Sequence, residues 1–397
     1  MSPVYLPRSF RLVSIVGLAS FLAAACAEEQ AVPQEDAGRG AETGPEDDLS
    51  QKPPQFVLLA FDGSKNNSFW AESRAFAKSV QVNGKQAVKF TYFVNPSYYL
   101  PDTEKQRYCG PKHACGKSDI GFGGTAADIT ARLEQTRLAD AEGHEIASHA
   151  VGHFDGGTWT QPEWGTEFDA FDKLFFNNAD GTPRAALDAV KARGIVGFRA
   201  PLLGYSAGLY PTMATRGFTY DTSKSNSAGY WPAKTDGIWN FPLAQLVLKN
   251  SGKKTLSMDY NHFFAHTKGV NDATRKAEFK KDVLDTYMAY FEANKAGNRA
   301  PVHIGHHFSK WNGGAYWEAM QAFAKTVCVQ PGVQCVTYRE FNAWLETRTP
   351  TQLADYRTKS FEAGPEESYC DAPVPSDCPH EDSDSHEDPA PDAEPTP

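Results

Sequence analysis

The chain has 397 residues, of which 41% are hydrophobic and 22% charged, and its formal net charge at pH 7 is −10. The negative charge lies at the two ends, because residues 51–361 hold 36 basic and 29 acidic side chains. This central part is long enough to bury a large core, and its lack of a basic stripe or of interleaved aromatic residues argues against a nucleic-acid-binding module.

The first segment of the chain is typical of an export signal. Arg8 and Arg11 precede the apolar stretch 12–25, which is too short for a convincing membrane-spanning helix. The small residues before Cys26 resemble a bacterial lipoprotein cleavage site. We therefore expect residues 1–25 to be removed and a lipid on Cys26 to anchor the protein to a membrane, facing the periplasm or the cell exterior. An ordinary secretory signal cut at an Ala-x-Ala site is the alternative, and it also exports the protein.

Two segments rich in acidic residues, Pro and Ala flank the central part. They contain too little apolar surface to offset the entropy of ordering a chain. We predict a disordered acidic tether at 26–54, one domain at 55–347 and an acidic, Pro-rich tail with one disulfide at 348–397, of which the acidic part at 362–397 should be disordered.

Six cysteines remain after Cys26, an even number in a chain that we expect to be exported. They fall in three close pairs for which local disulfides are the simplest connectivity, namely Cys109/Cys115, Cys328/Cys335 and Cys370/Cys378. A zinc knuckle is the alternative use of the first pair.

Strands and helices alternate along the domain, which predicts a single α/β domain. Apolar runs and alternating stretches predict strands near 55–61, 88–94, 144–148, 195–199, 218–221, 238–243, 256–260, 302–306 and 335–338. Helical spacing of apolar residues predicts helices near 68–80, 125–140, 165–178, 184–193, 207–216, 272–295, 314–327 and 339–346.

Several of the predicted strands end in side chains that are suited to chemistry. These side chains are Asp62, His149 with His153, Arg199, and His306 with His307. The carboxyl ends of parallel strands are where α/β folds place their active sites, and two histidines four residues apart can bind one metal ion. Taken singly, each is equally compatible with a capping acid or a surface histidine.

In this order, the segments resemble the motifs of the polysaccharide deacetylases, carbohydrate esterase family 4, in particular the chitin-deacetylase-like branch. The likeness covers residues 55–347. Ala-Phe-Asp-Gly-Ser at 60–64 is similar to the family's Thr-Phe-Asp-Asp-Gly, and 149–153 is similar to His-(Ser/Thr)-x-x-His. Arg-Ala-Pro-Leu at 199–202 and Ile-Gly-His at 304–306 are similar to Arg-x-Pro-(Tyr/Phe) and Leu-x-His.

The resemblance implies a distorted (β/α) barrel and a metal-dependent deacetylase. The substrate would be an acetamide or acetyl ester on an extracellular glycan, such as a chitin-like polymer or peptidoglycan. The cofactor would be one divalent ion, zinc or else cobalt or a similar metal. The alternatives are a carbohydrate-binding surface protein that has lost catalysis on the same scaffold, and a hydrolase of a non-glycan amide.

The resemblance also assigns roles near the implied metal ion. His149 and His153 match the metal ligands, Asp62 matches the general base, and Arg199 matches the residue that orients this carboxylate. The family's second acid, a metal ligand, is replaced by Gly63. Three alternatives follow: Asp62 joins the metal shell, Asp155 or another group supplies the third ligand, or the metal has been lost.

Further roles concern the substrate. The backbone N–H of Leu202 matches the group that stabilises the oxyanion. His306, or His307 next to it, matches the acid that protonates the leaving amine. Exposed aromatic rings could stack on sugars, and among the loop aromatics we single out Tyr205, Trp231 and Trp239, although any one of them could equally pack in the core.

Overall fold

The computed structural model describes residues 52–361. The expected export signal, the expected lipid attachment at Cys26, most of both acidic tails and the Cys370/Cys378 pair lie outside these residues. Within them, Cys109–Cys115 and Cys328–Cys335 are joined as disulfides, which confirms two of the predicted local pairs and removes the zinc-knuckle alternative for the first. No helix of residues 52–361 has both the length and the apolar composition that crossing a bilayer requires.

The strands, numbered in chain order, are β1 Gln55–Asp62, β2 Gln81–Val82, β3 Lys85–Gln86, β4 Phe90–Val94, β5 Glu145–Ser148, β6 Gly197–Phe198, β7 Tyr220–Asp221, β8 Ser225–Ser227, β9 Ala233–Thr235, β10 Ile238–Asn240, β11 Leu243–Val247, β12 Lys254–Leu256, β13 Val302–His307 and β14 Val333–Cys335. The helices are α1 Asn67–Ser79, α2 Ala126–Ala141, α3 Gln161–Phe176, α4 Asp188–Arg193, α5 Leu209–Thr215, α6 Asp259–Thr267, α7 Lys276–Ala296, α8 Trp311–Val327, α9 Tyr338–Glu346 and α10 Pro350–Thr358.

The main sheet has the order β13-β1-β4-β5-β6-β7-β10-β9, with β14 also paired to β1. Its strands are parallel except for β9, which runs antiparallel to β10. All eight residues of β1 are buried. This explains its nearly continuous apolar sequence, because parallel strands are covered on both faces.

A short segment between β12 and α6 brings the two sides of the sheet together. Gly305 of β13 donates its N–H to the carbonyl of Ser257 at 2.9 Å, and Ser257 donates to the carbonyl of Ala244 in β11 at 2.8 Å. β11 in turn pairs with β8, which follows β7 directly in the chain. The barrel is therefore closed by the hydrogen bonds of this short segment and not by a full strand. The predicted α/β class and distorted barrel are confirmed.

Three helices begin sharply because each has a capping box with an acid at its third position, and α10 has a similar box formed by Thr349 and Gln352. In this arrangement a threonine hydroxyl accepts the third N–H of the helix, and the acid at that third position accepts the threonine's own N–H. The pairs are Thr125/Asp128, Thr160/Glu163 and Thr337/Glu340, at the starts of α2, α3 and α9.

One sequence expectation is wrong, and one segment of the predicted tail turns out to be helical. The strand expected at 256–260 ends at Leu256, and α6 begins at Asp259. Alternating apolar residues mimicked a strand there, whereas an acid in the first turn favours the start of a helix. The segment assigned to the tail from 348 contains α10, which buries Tyr356 to 2% exposure with its ring 4.9 Å from that of Trp231.

Candidate active site

The strand ends singled out from the sequence meet at one edge of the barrel. Asp62 at the end of β1 is paired in register with His307 at the end of β13. The histidine segment follows β5 and Arg199 follows β6, two neighbouring parallel strands of the same sheet. Parallel strands expose their carboxyl ends on one side, so the four segments face a common region.

Asp62 and Arg199 form a buried ion pair at this edge. Nη1 of Arg199 donates to Oδ1 of Asp62 at 2.6 Å, and the exposed fractions of the two residues are 0% and 3%. Burial by itself raises the pKa of Asp62, but the charge and hydrogen bond of Arg199, together with the nearby His149 and His307, outweigh it and leave the pKa below its usual value. Asp62 is therefore ionised, and one of its carboxylate oxygens is already occupied.

Each nitrogen of the buried Arg199 guanidinium donates at least one hydrogen bond. Its Nε donates to Oγ1 of Thr222 at 2.6 Å, and its Nη2 donates to the hydroxyl of Tyr338 at 3.3 Å. Its central carbon lies 4.4 Å from the ring centroid of Phe93. These contacts fix the orientation of the arginine and hence of the Asp62 carboxylate.

His149 is buried and presents one ring nitrogen to Asp62. Its Nδ1 lies 2.7 Å from the carbonyl oxygen of Arg199, so Nδ1 carries the proton and Nε2 presents a lone pair. Burial lowers the pKa of His149 to about 3, which keeps the ring neutral. Nε2 lies 3.9 Å from Oδ2 of Asp62. Two acceptors facing each other at this distance select a donor between them, such as a water molecule or a cation.

His153 lies beside His149, with the two ring centroids 5.0 Å apart. Its backbone φ is +62°, in the left-handed region that residues with a side chain seldom adopt. Burial lowers its pKa, so this imidazole also favours the neutral state. The pair of neutral imidazoles predicted from the sequence is therefore brought together.

His307 is held by Asp259, the first residue of α6. Oδ1 of Asp259 lies 2.7 Å from Nδ1 of His307, and Oδ2 accepts the backbone N–H of His307 at 2.9 Å. Burial by itself lowers the pKa of His307, but the charge and hydrogen bond of Asp259, together with the charge of Asp62, outweigh it and raise the pKa above its usual value. The contact with Asp259 occupies Nδ1 and leaves Nε2 of His307 available to a substrate.

His306, its neighbour on β13, points the other way, since adjacent strand residues face opposite sides. It is 1% exposed, and its Nε2 lies 3.0 Å from the hydroxyl of Tyr287. Burial lowers the pKa of His306 to about 4. Of the two candidate acids, only His307 lines the cavity described next.

A cavity of about 520 Å³ opens over these groups. It collects side chains from the ends of β1, β4, β5 and β13 together with three aromatic rings, of which Phe308 is one. Its lining includes Asp62, Lys65, Tyr98, His149, His153, His307 and Trp311.

The expected three-ligand metal shell of His149, His153 and Asp62 is not assembled. Among residues 52–361, no group of three His, Cys, Asp or Glu side chains is arranged to hold a metal ion. Asp62 is turned towards Arg199, and the position of the family's second acid is a glycine with no donor. Asp155, the alternative third ligand, is exposed, accepts the N–H of Gly157 at 2.8 Å and is not part of the cavity lining. The possible ligands that remain are the two neutral imidazoles and Oδ2 of Asp62, which lies 3.9 Å from Nε2 of His149.

The residues expected to bind substrate do not gather at the cavity. Leu202 has a φ of +54° and is 66% exposed on the loop after Arg199, and Tyr205 is 38% exposed farther along it. Neither of them is part of the cavity lining.

Two of these expectations need correction. Trp231 and Trp239 are 2% and 4% exposed, and their indole N–H groups donate to the carbonyl of Asn298 and to Glu346. They pack in the core near α9 and α10, because strand β10 and the segment before β9 lie beneath those helices. Buried indoles offer no face to a sugar.

Sequence reasoning did not single out Asp259, Tyr98 or Trp311 for the site. The role of Asp259 could not be predicted because its segment was interpreted as a strand, and a strand at 256–260 gave its side chain no defined partner. The feature that could have indicated it is an acidic residue directly after a strand, where it favours the start of a helix. Trp311 is one of several aromatic residues in predicted loops, and its closeness to the site shows in the sequence only in its position four residues after His307.

Comparisons with known proteins give likeness of fold alone. No protein-family profile matches the chain, and no curated protein matches it. A Mycobacterium smegmatis protein assigned to the polysaccharide deacetylases is 17% identical, with a TM-score of 0.45 over 80% of this chain and 96% of its own. A mutant of a Bacillus subtilis peptidoglycan deacetylase is 14% identical, with a TM-score of 0.37 over 76% and 95%. A pseudoenzyme of carbohydrate esterase family 4 from Bacillus anthracis is 9% identical, with a TM-score of 0.41 over 74% and 66%. At these scores, the likenesses carry no conclusion about activity.

Proposed function

We propose that this chain is a hydrolase that removes acetyl groups from an extracellular glycan. The observation that carries the proposal is a matched acid and base at one cavity. Asp62 is held ionised by Arg199, and His307 is held towards its protonated state by Asp259. Two groups whose surroundings move their pKa values apart are what general acid–base catalysis requires.

The proposed reaction uses the two groups in turn. Oδ2 of Asp62, the oxygen not taken by Arg199, accepts a proton from a water molecule as the water oxygen forms a bond to the acetyl carbonyl carbon. The C–N bond of an acetamide, or the C–O bond of an acetyl ester, then breaks. Nε2 of His307 gives its proton to the departing nitrogen or oxygen, and acetate leaves.

The aromatic rings at the cavity support a sugar as the substrate. Tyr98 and Trp311 line it, and the ring of Tyr260, 47% exposed, lies 5.4 Å from that of Trp311 and 6.2 Å from that of His307. Large flat apolar surfaces beside a few placed polar groups are the usual composition of a small-ligand site. These rings therefore take the place that we had expected for Trp231 and Trp239.

Zinc, or cobalt in its place, remains in the proposal as an exchangeable ion at His149 and His153. A bound divalent ion would polarise the acetyl carbonyl. Catalytic zinc sites usually offer three protein ligands, and no such group of three is arranged to hold a metal ion among the described residues. For this reason no step of the reaction is assigned to the metal.

Export with a lipid on Cys26 also belongs to the proposal. The two disulfides support an oxidising compartment, where such bonds persist. The expected result is that the full chain fractionates with membranes and that Cys26→Ala releases it. Recovery of the unchanged protein in the soluble fraction would contradict the anchor.

The test of function is acetate release from penta-N-acetylchitopentaose and from acetylated peptidoglycan fragments. We expect release by the wild type and a loss of about 10²–10⁴-fold in kcat/KM for Asp62→Asn. Asp155→Asn is the matched control, because Asp155 is exposed and is not part of the cavity lining. Binding of the oligosaccharide without acetate release would favour the carbohydrate-binding alternative. Release from non-glycan acetamides alone would favour the other hydrolase.

A further inference from the structure

The segment 149–153, here called the histidine loop, has a backbone that needs outside support. Ala150 and His153 have φ values of +53° and +62°. Residues with side chains hold such conformations only where their surroundings impose them. The contacts that hold the loop therefore decide where His149 and His153 point.

Glu167 of α3 makes the central contact with this loop. Its side chain is fully buried, and its Oε1 accepts the N–H of Val151 at 2.7 Å. The hydroxyl of Tyr108 lies 2.9 Å from the other oxygen of Glu167 and accepts the N–H of Gly152 at 3.2 Å. One carboxylate and one hydroxyl thus take both amides in the middle of the loop.

The ring of Tyr108 also sets how close the loop can come. A Cβ on Gly152 would lie 2.4 Å from Cε1 of this ring, which is closer than side-chain carbons ever approach. A glycine at 152 therefore allows the loop to pack directly on the tyrosine.

The segment 108–119, which contains the Cys109–Cys115 disulfide, makes further contacts with the histidine loop. Tyr108 immediately precedes Cys109, and the N–H of Asp119 donates to the carbonyl of Gly152 at 2.9 Å. The ring of His113 stacks on that of Phe154 with centroids 3.6 Å apart. The histidine loop is thus held by the segment 108–119 as well as by α3.

The geometry points to Glu167 as a positioning residue for the proposed hydrolysis. By fixing Val151 directly and Gly152 through Tyr108, it holds the histidine loop in the backbone conformation that presents His149 and His153 to the cavity. Glu167 is not part of the cavity lining, so it acts through the loop. The catalytic part of this inference rests on the proposed function, whereas the structural part does not.

Amide hydrogen exchange tests the structural part. In Glu167→Leu, which removes both acceptor oxygens, we expect the amides of 149–154 to exchange about tenfold faster, with exchange in β13 unchanged. Glu167→Gln keeps an acceptor for Val151 and should stay near the wild type. Asp169→Asn is the matched control, since Asp169 lies on the same helix, is 72% exposed and pairs with Arg216. If the amides of 149–154 exchange in Glu167→Leu at the same rate as in the wild type, the inference is overturned.

Acetate release from penta-N-acetylchitopentaose tests the catalytic part. Because the aromatic lining is untouched, we expect kcat to fall about tenfold or more in Glu167→Leu, with KM within about twofold and most of the activity restored in Glu167→Gln. An equal loss in Asp169→Asn, or a change in KM alone, would refute it. If Glu167→Leu does not fold, Tyr108→Phe is the second test, and it should speed amide exchange at Gly152. An unchanged exchange rate at Gly152 would refute the support of the histidine loop by Glu167 and Tyr108. If the wild type releases no acetate, the proposed function fails, while the exchange result still decides the role of Glu167.

Discussion

His303, inside the barrel on β13, makes stability depend on pH in a way that can be calculated. It is 2% exposed, and within the described part of the chain neither of its ring nitrogens has a hydrogen-bond partner. Its ring lies 6.2 Å from that of Phe241 and 5.7 Å from that of Tyr338. Burial, with a smaller contribution from the charge of Arg199, lowers the pKa of His303 to about 3.

The sign of the effect follows from this lowered pKa. The folded state binds the proton of His303 less readily than the unfolded state, whose pKa is the ordinary 6.5. The stabilisation is therefore present above pH 6.5 and is lost as the pH falls towards about 3. Between pH 7.5 and pH 5 the loss is about 2 kcal/mol, from roughly 1.5 pH units at 1.36 kcal/mol each.

The perturbation is His303→Phe, which keeps an aromatic ring and removes the two unpartnered nitrogens. We expect the variant to be at least as stable as the wild type at pH 7.5, because no buried polar atom is left without a partner. Between pH 7.5 and pH 5 it should lose about 2 kcal/mol less free energy of unfolding than the wild type.

The assay is urea unfolding of both proteins at the two pH values. Tyr338→Phe is the control from the same interior. Burial raises the pKa of Tyr338 to about 12, so this side chain does not titrate in the window and the pH-dependent loss should equal that of the wild type. If His303→Phe loses as much stability as the wild type between pH 7.5 and pH 5, the assignment of a buried neutral histidine is refuted.

Three further predictions concern the candidate site. Asp259→Asn should move the alkaline limb of the pH–rate profile to lower pH, because Asp259 raises the pKa of His307 and the acid must stay protonated; an unmoved limb would contradict the pairing. Arg199→Met should lower the free energy of unfolding by about 3–5 kcal/mol in urea melts at pH 7.5 by leaving Asp62 buried and unpaired, and a change under 1 kcal/mol would show that the pair is not buried in solution. Added zinc should bind the wild type so weakly that dialysis removes it, and it should not bind His149→Ala, with bound zinc measured by elemental analysis before and after dialysis. One equivalent of zinc that survives dialysis would contradict the absence of a three-ligand site from the described residues.

Local patterns in the sequence predict most of the elements correctly. The apolar run 55–61 predicted β1, and the helical spacing of Val283, Tyr287 and Tyr290 predicted the long helix α7. Polar residues directly after apolar runs predicted which side chains gather at the carboxyl edge of the sheet. These inferences succeeded because strand and helix periods depend on neighbours a few residues apart.

The sequence alone did not distinguish features that depend on distant neighbours. His306 and His307 differ only in which side of β13 they face, and that register is set by pairing with β1. Trp231 and Trp239 looked suited to a groove because the helix that covers Trp231, α10, falls in a segment whose composition predicts a tail.

The sequence by itself determined the class of the fold and the chemical identity of the groups at its edge, because periodicity and residue type are local properties. Only the tertiary structure decided their protonation and their partners. The pKa of His307 depends on Asp259, 48 residues away in the chain, and that of Asp62 depends on Arg199, 137 residues away. Electrostatic effects act over a few ångströms of space, and the folding of the barrel brings these distant residues within that range.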